Sequence, residues 1–100
     1  MTAEQILRAA AERLRVYGWK GGMRSAPGET TACLVNAIAD AAKAAGRDWD
    51  CQLKAVALGI LQQVTTEAIA AFNDHHCKSV VDAVAALEIA ADLAAPEWKP

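Results

Sequence analysis

Residues 71 to 79 read AFNDHHCKS, placing an aromatic ring, an amide, a carboxylate, two imidazoles and a thiol in one short run of an otherwise alanine-rich chain. Imidazole and thiolate are favoured zinc ligands, so His75, His76 and Cys77 could close a site with Cys33 or Cys51. The spacing opposes this. Adjacent histidines at a helix junction usually diverge, and the sequence holds no second close-spaced ligand pair. A Cys-His-Asp enzyme built from Cys33, His75 or His76, and Asp74 is the other chemical arrangement, because an oriented base can activate a thiol. Asp74 directly precedes His75, however, and is not thereby placed to orient it, while 100 residues leave little room for a substrate cleft. The expectation is therefore no catalytic residue, no metal and no cofactor, with Cys33, His75, His76 and Cys77 kept as the candidates should a metal be found.

The same run has a more economical use as a junction between helices. Asn and Asp side chains bond nearby backbone groups, so Asn73 and Asp74 can close one helix and turn the chain, with Phe72 inward beside Ile69, both histidines in solvent, and Ser79 starting the next helix. Cys33 is expected in the first turn of a helix, where free N–H groups and the helix dipole would stabilise a thiolate. Free cysteine is also among the most buried residue types, and a small residue sealed beneath the preceding loop is the favoured reading.

The elements that must carry these residues follow from composition and period. One hundred residues suit a single domain, expected over 1–95 with a short tail at 96–100. Ten Lys plus Arg stand against 12 Asp plus Glu, a net charge of -2 that lacks the basic surplus a phosphate backbone demands. The charge is uneven: residues 1–24 carry Arg8, Arg13, Arg15, Lys20 and Arg24 against Glu4 and Glu12. No run reaches the ~18 apolar residues of a membrane span, and acidic residues near the N-terminus are unlike a signal peptide. Three cysteines without CxxC spacing fit reduced thiols, so a cytoplasmic protein is expected.

Thr2 and Gln5 form a capping box, followed by Ala3, Leu7, Ala10, Leu14 and Tyr17 at helical spacing, and Gly18 closes that helix. Residues 18–30 hold four glycines and a proline and read as a loop or short hairpin. From Thr30 or Thr31 as N-cap, Leu34, Ile38, Ala41 and Ala45 mark a second helix ending at Gly46. Asp48 or Asp50 then caps a third, whose Leu53, Val56, Ala57, Ile60, Leu61 and Val64 mark it as the central helix. Val64 to Thr66 predict a kink or break before a short helix over 66–72. Ser79 with Asp82 opens a last helix, with one stripe of Val80, Val84, Leu87 and Ala91 and a second of Val81, Ala85, Ile89 and Leu93, stopped by Pro96.

No strand-like alternation appears, so the fold expected is all-α, a compact bundle of four to five short helices with a Gly-rich loop after the first. Twenty-four alanines give high helix propensity but little buried area, so the helices must approach closely. A homodimer burying the double stripe of the last helix would thicken this thin core. Trp19, Trp49 and Trp98 all fall outside the helices. Trp19 and Trp49 are expected to fold over the bundle ends as lids, each indole N–H reaching a backbone oxygen.

The ordered landmarks GW at Gly18 and Trp19, CLVNAI from Cys33 to Ile38, and FND from Phe72 to Asp74 before an Ala- and Val-rich last helix resemble an uncharacterised family of small proteins from actinobacteria and their phages. The likeness spans nearly the whole chain. Asn36 stands where that family more often has glycine, and Phe72 where it more often has tryptophan. The resemblance implies a compact domain of phage or actinobacterial origin, and carries over no catalytic residue.

Together these observations lead to a non-enzymatic helical module, a phage-type accessory protein acting through contacts with a protein partner such as a host protein, in the bacterial cytoplasm. Its candidate interaction surface is Trp19, Lys20, Met23 and Arg24, together with the exposed part of the last helix. Two alternatives remain open: a helix-turn-helix DNA-binding protein using the second and third helices, which the acidic RDWD turn opposes, and a small Cys/His thiol or metal enzyme.

Overall fold

A computed structural model describes residues 2–19, 33–47 and 49–95, with the side chain of Ala70 excepted. Within them the chain forms five helices: α1 (Ala3–Tyr17), α2 (Leu34–Ala44), α3 (Cys51–Thr65), α4 (Ile69–His75) and α5 (Val80–Ala94). The fold is an all-α bundle. Most of the Gly-rich stretch after α1, Thr30, Thr31, Asp48 and the tail with Pro96 and Trp98 lie outside the described residues, as do Lys20, Met23 and Arg24 of the expected interaction surface.

Local chemistry sets the helix ends. Thr2 accepts from the Gln5 N–H while Gln5 accepts from the Thr2 N–H, a complete capping box, and Gly18 leaves α1 at φ 99°. Cys33 is the N-cap of α2, and its Sγ accepts from the Asn36 N–H at 3.5 Å. The thiol thus stands one position before the first turn in which it was expected, half-buried and not sealed in the core. Asp50 caps α3 by accepting from the Leu53 N–H at 2.9 Å. α3 stops at Thr66, whose φ of 59° is left-handed, and α4 begins at Ile69 with no side-chain cap. The expected break is there, three residues before the helix that follows.

α1 and α5 form the most extensive pair in the bundle, and α1 also meets α2 and α3. Their facing surfaces explain it: Ala10 and Ala11 of α1 and Ala83, Ala86, Ala90 and Ala91 of α5 are buried, so little side-chain bulk holds the axes apart. Leu7, Leu14 and Leu87 fill the remaining space. α3 is therefore not the central helix. Among its residues only Ala57, Leu61 and Thr65 are fully buried, and Val56 is exposed. A helix apolar most of the way round presents no single face, and its place is decided by where the Ala-rich surfaces close up first. At the end of α1, Tyr17 leaves the expected core stripe and lies exposed with the Arg13 guanidinium 5.3 Å from its ring centroid. Ala45, the last residue of the stripe read for α2, is likewise exposed.

Candidate functional site

The run AFNDHHCKS is not a link between helices. Phe72, Asn73, Asp74 and His75 lie within α4, because this helix begins at Ile69, three residues later than the helix expected over 66–72, and runs on to His75. His76 is the C-cap, and only Cys77 to Ser79 span the gap to α5. Ser79 occupies the N-cap of α5 without a side-chain cap bond; the Asp82 carboxylate instead accepts from the Lys78 N–H at 2.8 Å.

Asn73 is buried, and it does not turn its own segment. Its Oδ1 accepts from the Leu34 N–H at 3.0 Å and from the Trp19 indole N–H at 2.8 Å. Asn73 is thus a remote N-cap, satisfying the first amide of α2 from another helix and pinning the end of the α1 segment beside it. Trp19 packs against the core as a lid, but its N–H is spent on this side-chain oxygen and not on a backbone carbonyl. Asn73 Nδ2 donates to Asp74 Oδ1 at 3.2 Å, which fixes the amide's orientation.

The reactive groups of the run point apart. His75 and His76 are exposed, whereas Cys77 is buried with 6% exposure. Burial pushes the Cys77 thiol up to about 11, with the Asp82 charge adding to it, which is opposite to what a nucleophile needs. His76 Nε2 lies 2.7 Å from a Glu67 carboxylate oxygen, and its ring stacks on Phe72 at 5.7 Å between centroids. Among the described residues no three His, Cys, Asp or Glu side chains come close enough together to hold a metal ion. An open depression of about 470 Å³ beside Thr66, Phe72 and His76 has its polar edge already engaged, with the Thr65 hydroxyl shared between the carbonyl oxygens of Gln62 and Glu67.

The RDWD turn is a second local cluster. Arg47 donates to Asp50 Oδ2 at 2.7 Å and stacks 5.1 Å from the Trp49 ring centroid. Its guanidinium and the Leu53 N–H hold the Asp50 carboxyl below the usual carboxylate range. The Trp49 indole N–H reaches a backbone oxygen as expected, the Gly46 carbonyl at 2.9 Å, but the ring is 71% exposed and is not the expected lid. It is a turn brace.

The outer face of α5 has a different character. Val81, Ile89 and Leu93 are 69%, 52% and 59% exposed, and Ala85 between them is also exposed, so the second stripe stands on the surface in full. Alongside it runs a groove of about 260 Å³, floored by Val80, Val81, Val84 and Ala85 and edged by Arg15 and Glu88. The carboxylates on the α1 side of the stripe are bound to α1: Arg15 donates to Glu88, and Arg8 donates to Asp92 at 2.9 Å while also holding Glu4. These pairings raise the pKa of both guanidinium groups. The ladder could have been sought from Arg8 and Arg15 seven residues apart on one helix and Glu88 and Asp92 four apart on another, both spacings that keep a single face. The reach of Asn73 to Leu34 has no comparable signal.

Among the described residues no helix is long and apolar enough to cross a membrane. No curated protein and no solved structure matches the chain. A family model matches residues 1–93, and the chain belongs to that family, a family of unknown function (DUF6197).

Proposed function

We propose that this protein is a non-enzymatic accessory module that works by protein–protein contact through the outer face of α5. One observation carries the proposal: three large aliphatic side chains, Val81, Ile89 and Leu93, stand exposed along a single helix face beside an apolar groove. Single exposed aliphatics are ordinary on a soluble protein, whereas an aligned set with a polar rim is how interaction sites are built. Arg8 and Arg15 neutralise the flanking carboxylates, lowering the cost of covering this surface. Free thiols, with Cys51 exposed, fit work in a reducing compartment such as a bacterial cytoplasm.

The alternatives draw less support. In a helix-turn-helix the start of α3 would approach phosphate, and there the Asp50 carboxylate occupies the N-cap. A thiol enzyme built on Cys33 with His75 or His76 draws less, because the Cys33 Sγ accepts from the Asn36 N–H at the α2 N-cap while His76 is held against Glu67 and Phe72.

A photo-crosslinking amino acid at Ala85, compared with one at exposed Ala39 on α2, tests the proposal in purified protein and in extract of the source cells. Discrete adducts from position 85 that excess unmodified protein competes away, with none from position 39, are expected. Equal labelling from both positions, or none from either, would overturn it.

A further inference from the structure

We infer that the occupant of the α5 face is a second copy of this chain, docked as an antiparallel, two-fold α5 pair crossing at Ala85. The inference rests on the interaction reading above and names its partner. A two-fold interface uses the same patch twice, so the patch must hold both a projection and the depression that receives it, on opposite sides of the axis. This face does. The groove lies at the Val81 and Ala85 end of the stripe, and the projecting Ile89 and Leu93 lie one to two turns further along.

With Ala85 at the axis, residues whose numbers sum to 170 stand opposite one another. Ile89 of the second copy then lies over Val81 and the groove, and the reciprocal contact forms by symmetry. Ala85 meets its own counterpart with the smallest side chain on the stripe, which permits close approach. The groove runs between the row of Val81 and Ala85 and the row of Val80, Val84 and Glu88, both four-residue ridges, so packing a partner ridge into it is the commonest mode of helix association.

Charge selects the antiparallel direction. Exposed Lys78 precedes α5, and Asp92, which accepts from Arg8 but stays largely exposed, lies in its last turn, so antiparallel copies bring Lys78 opposite this carboxylate at both ends. Parallel copies would align each Lys78 with its own counterpart, a like charge, and would set the Arg15–Glu88 and Arg8–Asp92 pairs against themselves instead of bringing Asp92 to Lys78. Asp82 would face Glu88 of the second copy, and Arg15, already bonded to Glu88, supplies the cation between them.

Size sets the strength. A helix of 15 residues is about 22 Å long and 10–12 Å across, so the contact falls near the lower end of specific interfaces, about 1,200 Å² in total. A concentration-dependent equilibrium is therefore expected, in the micromolar range.

Sedimentation equilibrium over low to high micromolar protein should show the mass rising from 10.5 kDa toward twice that value. Ala85→Glu should remain monomeric throughout with an unchanged helical circular-dichroism spectrum, since position 85 is exposed. Lys78→Glu should weaken the dimer severalfold, and adding Asp92→Lys should restore it. In a Cys51→Ser, Cys77→Ala background, Ala85→Cys should oxidise readily to a disulfide-linked dimer and Leu93→Cys should not, because an antiparallel pair centred on Ala85 separates the two Leu93 positions by about 24 Å. A dimer that survives Ala85→Glu, or equal crosslinking from positions 85 and 93, overturns the inference. A strictly monomeric protein that still crosslinks from position 85 to a different protein overturns it too, while leaving the interaction reading intact.

Discussion

The Oδ1 of Asn73 accepts a hydrogen bond from the backbone N–H of Leu34, 39 residues away in sequence, so that the start of α2 is capped by a side chain of α4. The same oxygen receives the Trp19 indole N–H, and one buried amide joins three segments of chain. Removing it leaves two donors without their acceptor in a water-poor setting, where each costs about 1–3 kcal/mol. Asn73→Ala should therefore destabilise the protein by about 2–4 kcal/mol, as large as a core deletion. In a variant with Trp49 and Trp98 replaced by Phe, Trp19 emission should also shift to the red before global unfolding. A change under about 0.5 kcal/mol would show that this amide does not hold α2 to α4.

The Arg ladder between α1 and α5 should contribute far less. Arg8, Arg15, Glu88 and Asp92 are all substantially exposed, and pairs in that setting are screened by water and salt. Arg8→Ala and Arg15→Ala should lower Tm only slightly, with the difference shrinking as salt is raised. Leu87→Ala, made in the same α1–α5 seam at a fully buried position, should cost about 2–5 kcal/mol whatever the ionic strength. Thermal melts of the three variants at low and high salt separate the two contributions.

The pH limits of stability should be traceable to two groups. In the unfolded chain Cys77 titrates near its ordinary 9.0, but in the fold only at about 11, so the folded state keeps a proton that the unfolded state releases. That contribution is complete below about 9 and is lost as pH rises toward about 11; Cys77→Ala should flatten this alkaline decline. Asp50 behaves oppositely. Its folded pKa is lowered by Arg47 and the Leu53 N–H, so its contribution is present above about 4 and lost as pH falls through the lowered value. The stability gap between wild type and Asp50→Asn should close as pH falls below about 4, measured by urea midpoints across the range.

The same burial orders thiol reactivity. Cys51 is exposed, Cys33 half-buried at the α2 N-cap, and Cys77 buried with its pKa raised. Iodoacetamide at pH 8 should label Cys51 first and Cys77 last, followed by peptide mass spectrometry. Rapid labelling of Cys77 in folded protein would contradict its placement against the core.

Features governed by neighbours in sequence were legible there. The Thr2–Gln5 box, Gly18, Gly46, the Asp50 cap and the break at Thr66 are each decided within about four residues. The all-α class followed from helical periodicity without alternation. What escaped depends on residues distant in sequence. Nothing near Asn73 signals that its acceptor is needed at Leu34, and the polar run therefore looked like a link when most of it is helix α4. The centre of the bundle escaped for a related reason: α3 and α5 are apolar most of the way round, and only the close approach of alanine faces on α1 and α5 decides which aliphatics are left outside.

Three substitutions test the backbone itself, because open space around two of them removes packing from the comparison. A Cβ added at Gly46 or at Gly59 meets no atom within 4 Å. Gly46 has φ +73°, where an L-residue is strained, so Gly46→Ala should destabilise by about 1–2 kcal/mol. Gly59 lies on the exposed side of α3 away from its ends, where glycine costs about 0.5–1 kcal/mol relative to alanine, so Gly59→Ala should stabilise by that amount. Thr66 is the converse case, a β-branched residue held at φ 59° to end α3, and Thr66→Gly should relieve strain and raise the urea midpoint. The same chemical exchange, glycine for a residue with a side chain, thus stabilises at a left-handed turn and destabilises within a helix. If Gly46→Ala and Gly59→Ala moved the midpoint in the same direction, either the left-handed end of α2 or the continuity of α3 would have to be given up.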